Sequence, residues 1–221
     1  MFPLKDLTYR KSFPLINYLI IITNFAVFLY QISLPDFDKF VYNYGFVPSR
    51  FSPFELDFYK YAFFSMWLHG GWFHILSNMW FLHIFGDNVE DKLGHFSYLL
   101  LYIFSGFSAV FLQYLLSVES ILPMIGASGA VSGVAGAYFV LFKHSKILSL
   151  VVGLFGFIHL LELPAWFFLG YWFFIQLFSG IGSLLSYDPN LGGVAWFAHL
   201  GGFLYGYWTA KKFKRKTSFF T

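Results

Sequence analysis

Apolar residues in this chain come in long blocks, broken by short polar stretches. Five blocks are clear, at about 15–32, 72–85, 95–117, 128–142 and 194–210. Each approaches the ~20 residues, at a rise of 1.5 Å each, that carry a helix across a bilayer. A longer apolar stretch between Ile147 and Gly182 is interrupted by Glu162-Leu163-Pro164. Residues 163–182 have crossing length. Ile147–Leu161 falls short of it, so a half-buried loop is expected there. The pattern predicts an all-α polytopic membrane protein, one domain over residues 1–221 with six transmembrane helices.

The connection Ser33–Gly71 carries charges and a dense aromatic series that includes Phe37, Tyr42, Phe46, Phe51, Phe58 and Phe64. Aromatic rings favour the membrane–water boundary, so a large interfacial outer loop is expected between spans 1 and 2. Basic residues then test the count. With the first residues inside, Lys5, Arg10, Lys11, Lys92, Lys143, Lys146 and the tail Lys211-Lys212-Phe213-Lys214-Arg215-Lys216 fall on the inner side. Only Lys39, Arg50 and Lys60 fall outside. This is the bias that the positive-inside rule expects, and a seventh span would reverse the tail.

Composition agrees with the pattern. Of 221 residues, 58% are hydrophobic and 11% charged, too few charges for an ordinary water-facing surface. No cysteine is present, which excludes a disulfide framework and a thiolate metal site. The net charge of +3 resides largely in the tail, and no basic stripe suited to nucleic acid occurs elsewhere. No small-residue cleavage site follows the first apolar block, so that block is expected to stay in the membrane as an anchor. Neither a cofactor nor a metal is expected.

Polar side chains inside a bilayer are costly and each needs a reason. Three clusters stand out: His69…His74…Asn78, Gly126-Ala127-Ser128-Gly129, and Ala198-His199-Leu200-Gly201-Gly202. With six spans all three lie toward the outer side, and Ser128 and His199 open helices that descend in the same direction. Ser132 and Gly136 follow Ser128 on one helical face, while Gly202 and Gly206 follow His199. Small residues at this spacing let membrane helices approach closely, as a hydroxyl and an imidazole must if they are to share a proton. The pair has the chemistry of a nucleophile and its general base. His74 and Asn78 share a helix face and can both donate hydrogen bonds. With the Ser128 N–H at a helix start, they are candidates to stabilise an oxyanion. Gly126 and Gly129 would let a substrate backbone approach.

Gly126-Ala127-Ser128-Gly129 resembles the GxSG motif of rhomboid proteases. The run His69-Gly70-Gly71-Trp72-Phe73-His74-Ile75-Leu76-Ser77-Asn78 is similar to the family's second-span signature, and Ala198–Gly202 to its last-span histidine motif. Glu162-Leu163-Pro164-Ala165-Trp166 and Trp172…Gln176 resemble many bacterial members. The resemblance covers nearly the whole chain in order. It departs at Lys60-Tyr61 and Phe64, where many members carry Trp-Arg and then Thr.

The resemblance implies a serine endopeptidase with a Ser128–His199 dyad and an oxyanion site of His74, Asn78 and the Ser128 amide. Its partners would be transmembrane protein substrates and the lipid bilayer. It would sit in a bacterial cytoplasmic membrane with its site open to the outer side.

Other readings fit less well. A zinc protease of the H-E-x-x-H type needs a His-Glu pair, which the chain lacks. An aspartyl type needs two carboxylates able to share a proton, whereas Asp87 and Asp188 sit singly at span ends. A transporter would be expected to show internal repeats and paired broken helices. An inactive rhomboid-like binder of transmembrane helices is the main alternative, against which intact Ser128 and His199 argue.

Overall fold

A computed structural model describes residues 1–153, 156–185 and 193–217, so Asp188 lies outside the described residues. The helices are α1 (Leu15–Ser33), α2 (Phe37–Tyr44), α3 (Leu56–Ser65), α4 (Trp72–Leu93), α5 (His95–Leu116), α6 (Ser128–Leu141), α7 (Ala165–Leu185) and α8 (Trp196–Thr217). Every apolar block foreseen as a span is a helix, with ends displaced by a few residues. The largest displacement is in α4, which runs on through the polar Asp87–Lys92. Among the described residues α1, α5 and α7 are long and apolar enough to cross a membrane. Helices α4 and α8 add charged residues toward their C-terminal ends, and α6 has only 14 residues.

Helix α6 is the centre of the bundle. Its residues Gly129–Tyr138 are all buried, enclosed by α4, α5, α7 and α8, so it meets protein on every side. Small side chains make this possible, because Gly129, Ala130, Gly133, Ala135, Gly136 and Ala137 let neighbouring backbones close in. Gly94 makes the tight α4–α5 turn. It sits at φ +81°, where only glycine is unstrained, and its N–H closes α4 on the Glu90 carbonyl at 2.8 Å.

The segment expected as a half-buried loop is instead a hairpin, and the chain is not all helix. Strands β2 (Lys146–Val152) and β3 (Ile158–Pro164) pair antiparallel, and β1 (Phe2–Asp6) adds to β2 in the order β1-β2-β3. Ser149 faces Leu161 on one side, and Phe2 pairs with Leu150 on the other. A short, mostly apolar run does not distinguish strand from helix or loop, and the first strand lies at the far end of the sequence. The buried side of β2 shows the period of two, with Ile147 and Ser149 fully covered.

The sheet gathers one end of the bundle. Beside it, Arg10 reaches Asp87 at 3.6 Å, Asn88 bonds Asp6, and Asp91 accepts from the Lys11 and Ser12 amides at 3.2 and 2.7 Å. Glu90, 1% exposed, accepts from Ile16 N–H and Asn17 N–H at 2.9 and 2.7 Å and also contacts His95. It serves as a borrowed N-cap for α1, for which no side-chain cap of its own is present. Lys146 and Glu162 pair across the hairpin at 2.8 Å.

At the opposite end lies the connection between α1 and α4. It carries α2 and α3 and a small core of its own. Phe46 and Phe58 are buried edge to face at 4.9 Å, with Tyr114 of α5 5.2 Å from Phe58. These rings therefore fold the loop, whereas Phe54 and Leu56 at its tip are 98% and 88% exposed. Gln31 fastens the loop to α1, accepting from His69 N–H at 3.1 Å and donating to the His69 carbonyl at 3.4 Å.

Candidate active site

Gly126 positions the start of α6. It adopts φ +121°, and its N–H donates to the Ser65 carbonyl at 2.9 Å. A Cβ there would lie 2.6 Å from His74 Nε2 and 3.7 Å from Asn78 Nδ2, so only glycine allows the loop to rest on this face of α4. No side chain caps α6, and the N–H groups of its first turn, that of Ser128 included, have no intrahelical acceptor. Ser132 turns its hydroxyl into its own helix and donates to the Ser128 carbonyl at 2.6 Å.

His74 and Asn78 stand one turn apart on α4, beside this loop. Gly70 N–H donates to His74 Nδ1 at 3.3 Å. A neutral ring that accepts at Nδ1 carries its proton on Nε2, the atom that borders Gly126. Asn78 Nδ2 is buried and has no hydrogen-bond partner among the described residues. Leaving such a donor unpaired costs about 1–3 kcal/mol, so an orphan at this position calls for a reason. Two N–H donors thus border the peptide that leads into Ser128.

His199 is the fourth residue of α8, which packs on α6 along a seam of glycines. A Cβ on Gly202 would come 1.9 Å from the Gly129 carbonyl oxygen, and one on Gly206 would come 1.8 Å from that of Gly133. Gly136 meets the Phe203 carbonyl in the same way, at 2.1 Å. The expected small-residue face of α8, Gly202 and Gly206, is the one in contact. On α6 the face in contact is Gly129-Gly133-Gly136 rather than Ser132 and Gly136, because backbone-to-backbone approach leaves no room for a hydroxymethyl group. Gly129 also touches Ala198, the neighbour of His199, with its Cβ position 3.7 Å from the Ala198 carbonyl.

Other helices hold the start of α8. Gln113 of α5 accepts from Phe197 N–H and Ala198 N–H at 3.1 and 3.3 Å, and Ser108 donates to the Gly201 carbonyl at 3.1 Å. The His199 ring lies against Trp172 (centroids 6.0 Å apart, planes at 34°) and edge-on to Trp196 at 6.3 Å. Its Nδ1 is 2.7 Å from Gln176 Oε1. Trp172 and Gln176 figure in the sequence resemblance without a role, and nothing in the sequence singles out Gln113, whose contacts depend on tertiary packing.

The remaining histidines lie elsewhere or act differently. His69 is fully buried, its ring 5.1 Å from that of His74. Burial first, and the neighbouring His74 second, push its pKa down to about 3, so it stays neutral. His83 packs on Tyr18 and Trp80, at the sheet end. Among the described residues no group of three or more His, Cys, Asp or Glu side chains could hold a metal ion.

The described residues therefore bring Gly126, His74 and Asn78 together, and set the first turns of the Ser128 and His199 helices side by side. A family model for the Rhomboid domain matches residues 57–216, which contain all of these residues. The chain is 34% identical over 153 residues to Rhomboid-like protein 11, chloroplastic, of Arabidopsis thaliana, covering 66% of this chain and 50% of that protein. It is 35% identical over 143 residues to RHOMBOID-like protein 6, mitochondrial, of the same plant, covering 65% and 40%. Against Rhomboid protein 1, mitochondrial, of Saccharomyces cerevisiae (strain ATCC 204508 / S288c) it is 28% identical over 221 residues, covering 95% and 58%. The chain thus spans about half the length of these relatives. A match over most of the chain, on a bundle with helices able to cross a bilayer, shows that this integral membrane protein belongs to the rhomboid family.

Proposed function

We propose that the chain is an intramembrane serine endopeptidase that hydrolyses peptide bonds in or near the membrane segments of other proteins. One observation carries this reading: the buried, unpartnered donor of Asn78 beside the serine loop. A donor placed here, free of other protein partners among the described residues, is what the oxyanion of a nucleophilic serine would require. As Ser128 Oγ bonds to the scissile carbonyl carbon, its proton passes to His199 and the carbonyl π pair moves onto oxygen. That oxyanion would be met by Asn78 Nδ2–H, His74 Nε2–H and the Ser128 N–H, which are donors fixed before the reaction begins. Collapse then breaks the C–N bond, and the imidazolium returns its proton to the leaving amine. Water repeats the cycle on the acyl-enzyme. Gly126 and Gly129 leave room for the substrate backbone.

The topology we propose has six spans, with α4, α6 and α8 crossing beside α1, α5 and α7. Lys5, Lys11 and Lys146 all belong to the sheet end, and the bias of positive charge supports that end as the cytoplasmic one. The site then opens to the outer side of a bacterial cytoplasmic membrane, the setting suggested by the bacterial-type Glu162–Trp166 and Trp172…Gln176 segments.

The test is cleavage of a labelled single-span substrate by the purified protein in liposomes. Wild type is expected to cut and Ser128→Ala to bind without cutting. A wild-type protein that binds the helix and leaves it whole would favour the inactive binder instead.

A further inference from the structure

We propose that Gln176 is a positioning residue that holds His199 in the tautomer protonated at Nδ1, leaving Nε2 bare to take up a proton. The consequence for catalysis rests on the protease reading above; the tautomer itself does not.

The argument is one of hydrogen-bond polarity. Gln176 lies on α7 and is 5% exposed, so bulk water does not compete for its amide. Its Nε2 donates to the Trp172 carbonyl, one turn earlier, at 3.3 Å. A carbonyl can only accept, so the NH2 end of the amide is the end that faces Trp172. The oxygen end is thereby turned to His199, with Oε1 2.7 Å from Nδ1. An amide oxygen also only accepts, and Nδ1 must therefore bear the hydrogen. A neutral imidazole has one N–H, so Nε2 keeps its lone pair. Trp172 contributes twice, since its carbonyl orients the amide and its indole packs on the imidazole 6.0 Å away. Gln113, which accepts from Phe197 N–H and Ala198 N–H, fixes the backbone that carries the ring. One glutamine sets where His199 stands and the other which nitrogen it offers.

A base with its proton on the wrong nitrogen cannot accept from a serine. In the serine-protease template, losing the carboxylate that enforces the tautomer drops kcat about 10⁴-fold. Here the partner is a neutral amide, whose removal lets the proton distribute between the two nitrogens, and a smaller fall is expected. The groups that surround His199 are few. Among the described residues, α7 brings Gln176 and Trp172 against the ring, α8 itself brings Trp196, and α4 brings His74, the titratable one of these.

The experiment compares wild type, Gln176→Met and Gln176→Glu in liposomes. It reads kcat and KM, the pH profile, and the 15N shifts of His199, assigned by loss of signal in His199→Gln. Gln176→Met is expected to lose about 10–10²-fold in kcat with KM unchanged, and its His199 signal should move from the Nδ1–H tautomer toward a mixture. Gln176→Glu keeps an acceptor at the same place and adds a negative charge that stabilises the imidazolium. It should retain the Nδ1–H tautomer, and the acid limb of its kcat/KM profile should move to higher pH. Should Gln176→Met fail to fold, Gln176→Glu carries the test alone. An unchanged tautomer in Gln176→Met, or an unmoved acid limb in Gln176→Glu, overturns the inference. A wild-type protein that shows the Nδ1–H tautomer and cleaves nothing overturns the protease reading and leaves the tautomer assignment standing.

Discussion

At the scale of single atoms, His74 and Asn78 turn two N–H groups toward the Gly126 loop, where the proposed function makes them oxyanion donors. Donors of this kind act on charge that exists only in the transition state. Replacing either residue by alanine is therefore expected to lower kcat by about 10–10³-fold and to leave KM nearly unchanged. A rise in KM alone, in steady-state assays of both variants, would remove them from the oxyanion site. Ser128→Ala and His199→Ala should each abolish turnover, and the double variant should be little worse than either, since the two act as a unit. Losses that multiply would speak for independent roles. At this scale the sequence was most informative. Polar residues are few in the apolar helices and drew attention for that reason, and the i, i+4 spacing put His74 and Asn78 on one face, where both border Gly126. The spacing could not show that Gly70 N–H sets the His74 tautomer, nor that Gln176 reaches His199, because both depend on how elements meet.

Between elements the α6–α8 seam decides the geometry. The Cβ positions of Gly202 and Gly206 fall on backbone oxygens, which cannot rotate away as a side-chain tip could. Gly202→Ala must part the helices, and about 1–3 kcal/mol of stability should be lost together with most of the activity. Gly170→Ala on α7 is the control, since its new methyl would meet Phe139 at an ordinary 3.8 Å. Thermal melts in one detergent check the pair, and equal melting points would refute the seam. At the sheet end, Glu90→Ala would orphan the Ile16 and Asn17 amides and should cost about 1–3 kcal/mol. The six long helices were legible from hydrophobic blocks except at the charged C-terminal ends of α4 and α8, whereas the short α2 and α3 were read only as part of a loop. The β2–β3 hairpin was not, because Ile147–Leu161 lacks a clear alternation and its third strand is Phe2–Asp6, remote in the chain.

The whole molecule has a braced end and an end that carries the candidate site. Single cysteines introduced into this cysteine-free chain can read its orientation directly. Positions 5, 92, 146 and 212 should label from the cytoplasmic side only, and position 50 from outside; external labelling at 212 would refute six spans. On the proposed protease reading, a substrate helix must unwind to present a peptide bond to Ser128, and in a bilayer unpaired backbone groups cost several kcal/mol each. Cleavage is therefore expected near the outer boundary of the substrate's span, helped by nearby Gly or Pro. Replacing those residues by Leu and Ala should slow it, as gel assays of paired substrates would show. The buried amide of Asn78 also bears on the protein's durability. A buried donor that no protein group meets among the described residues forgoes stability that a hydrogen bond would give. Asn78→Leu, of similar volume and without the donor, should melt at a higher temperature than wild type while turning over far more slowly. The same atom would then set a ceiling on how robust an active form of this protein can be, and stabilised variants selected without an activity screen should tend to lose it.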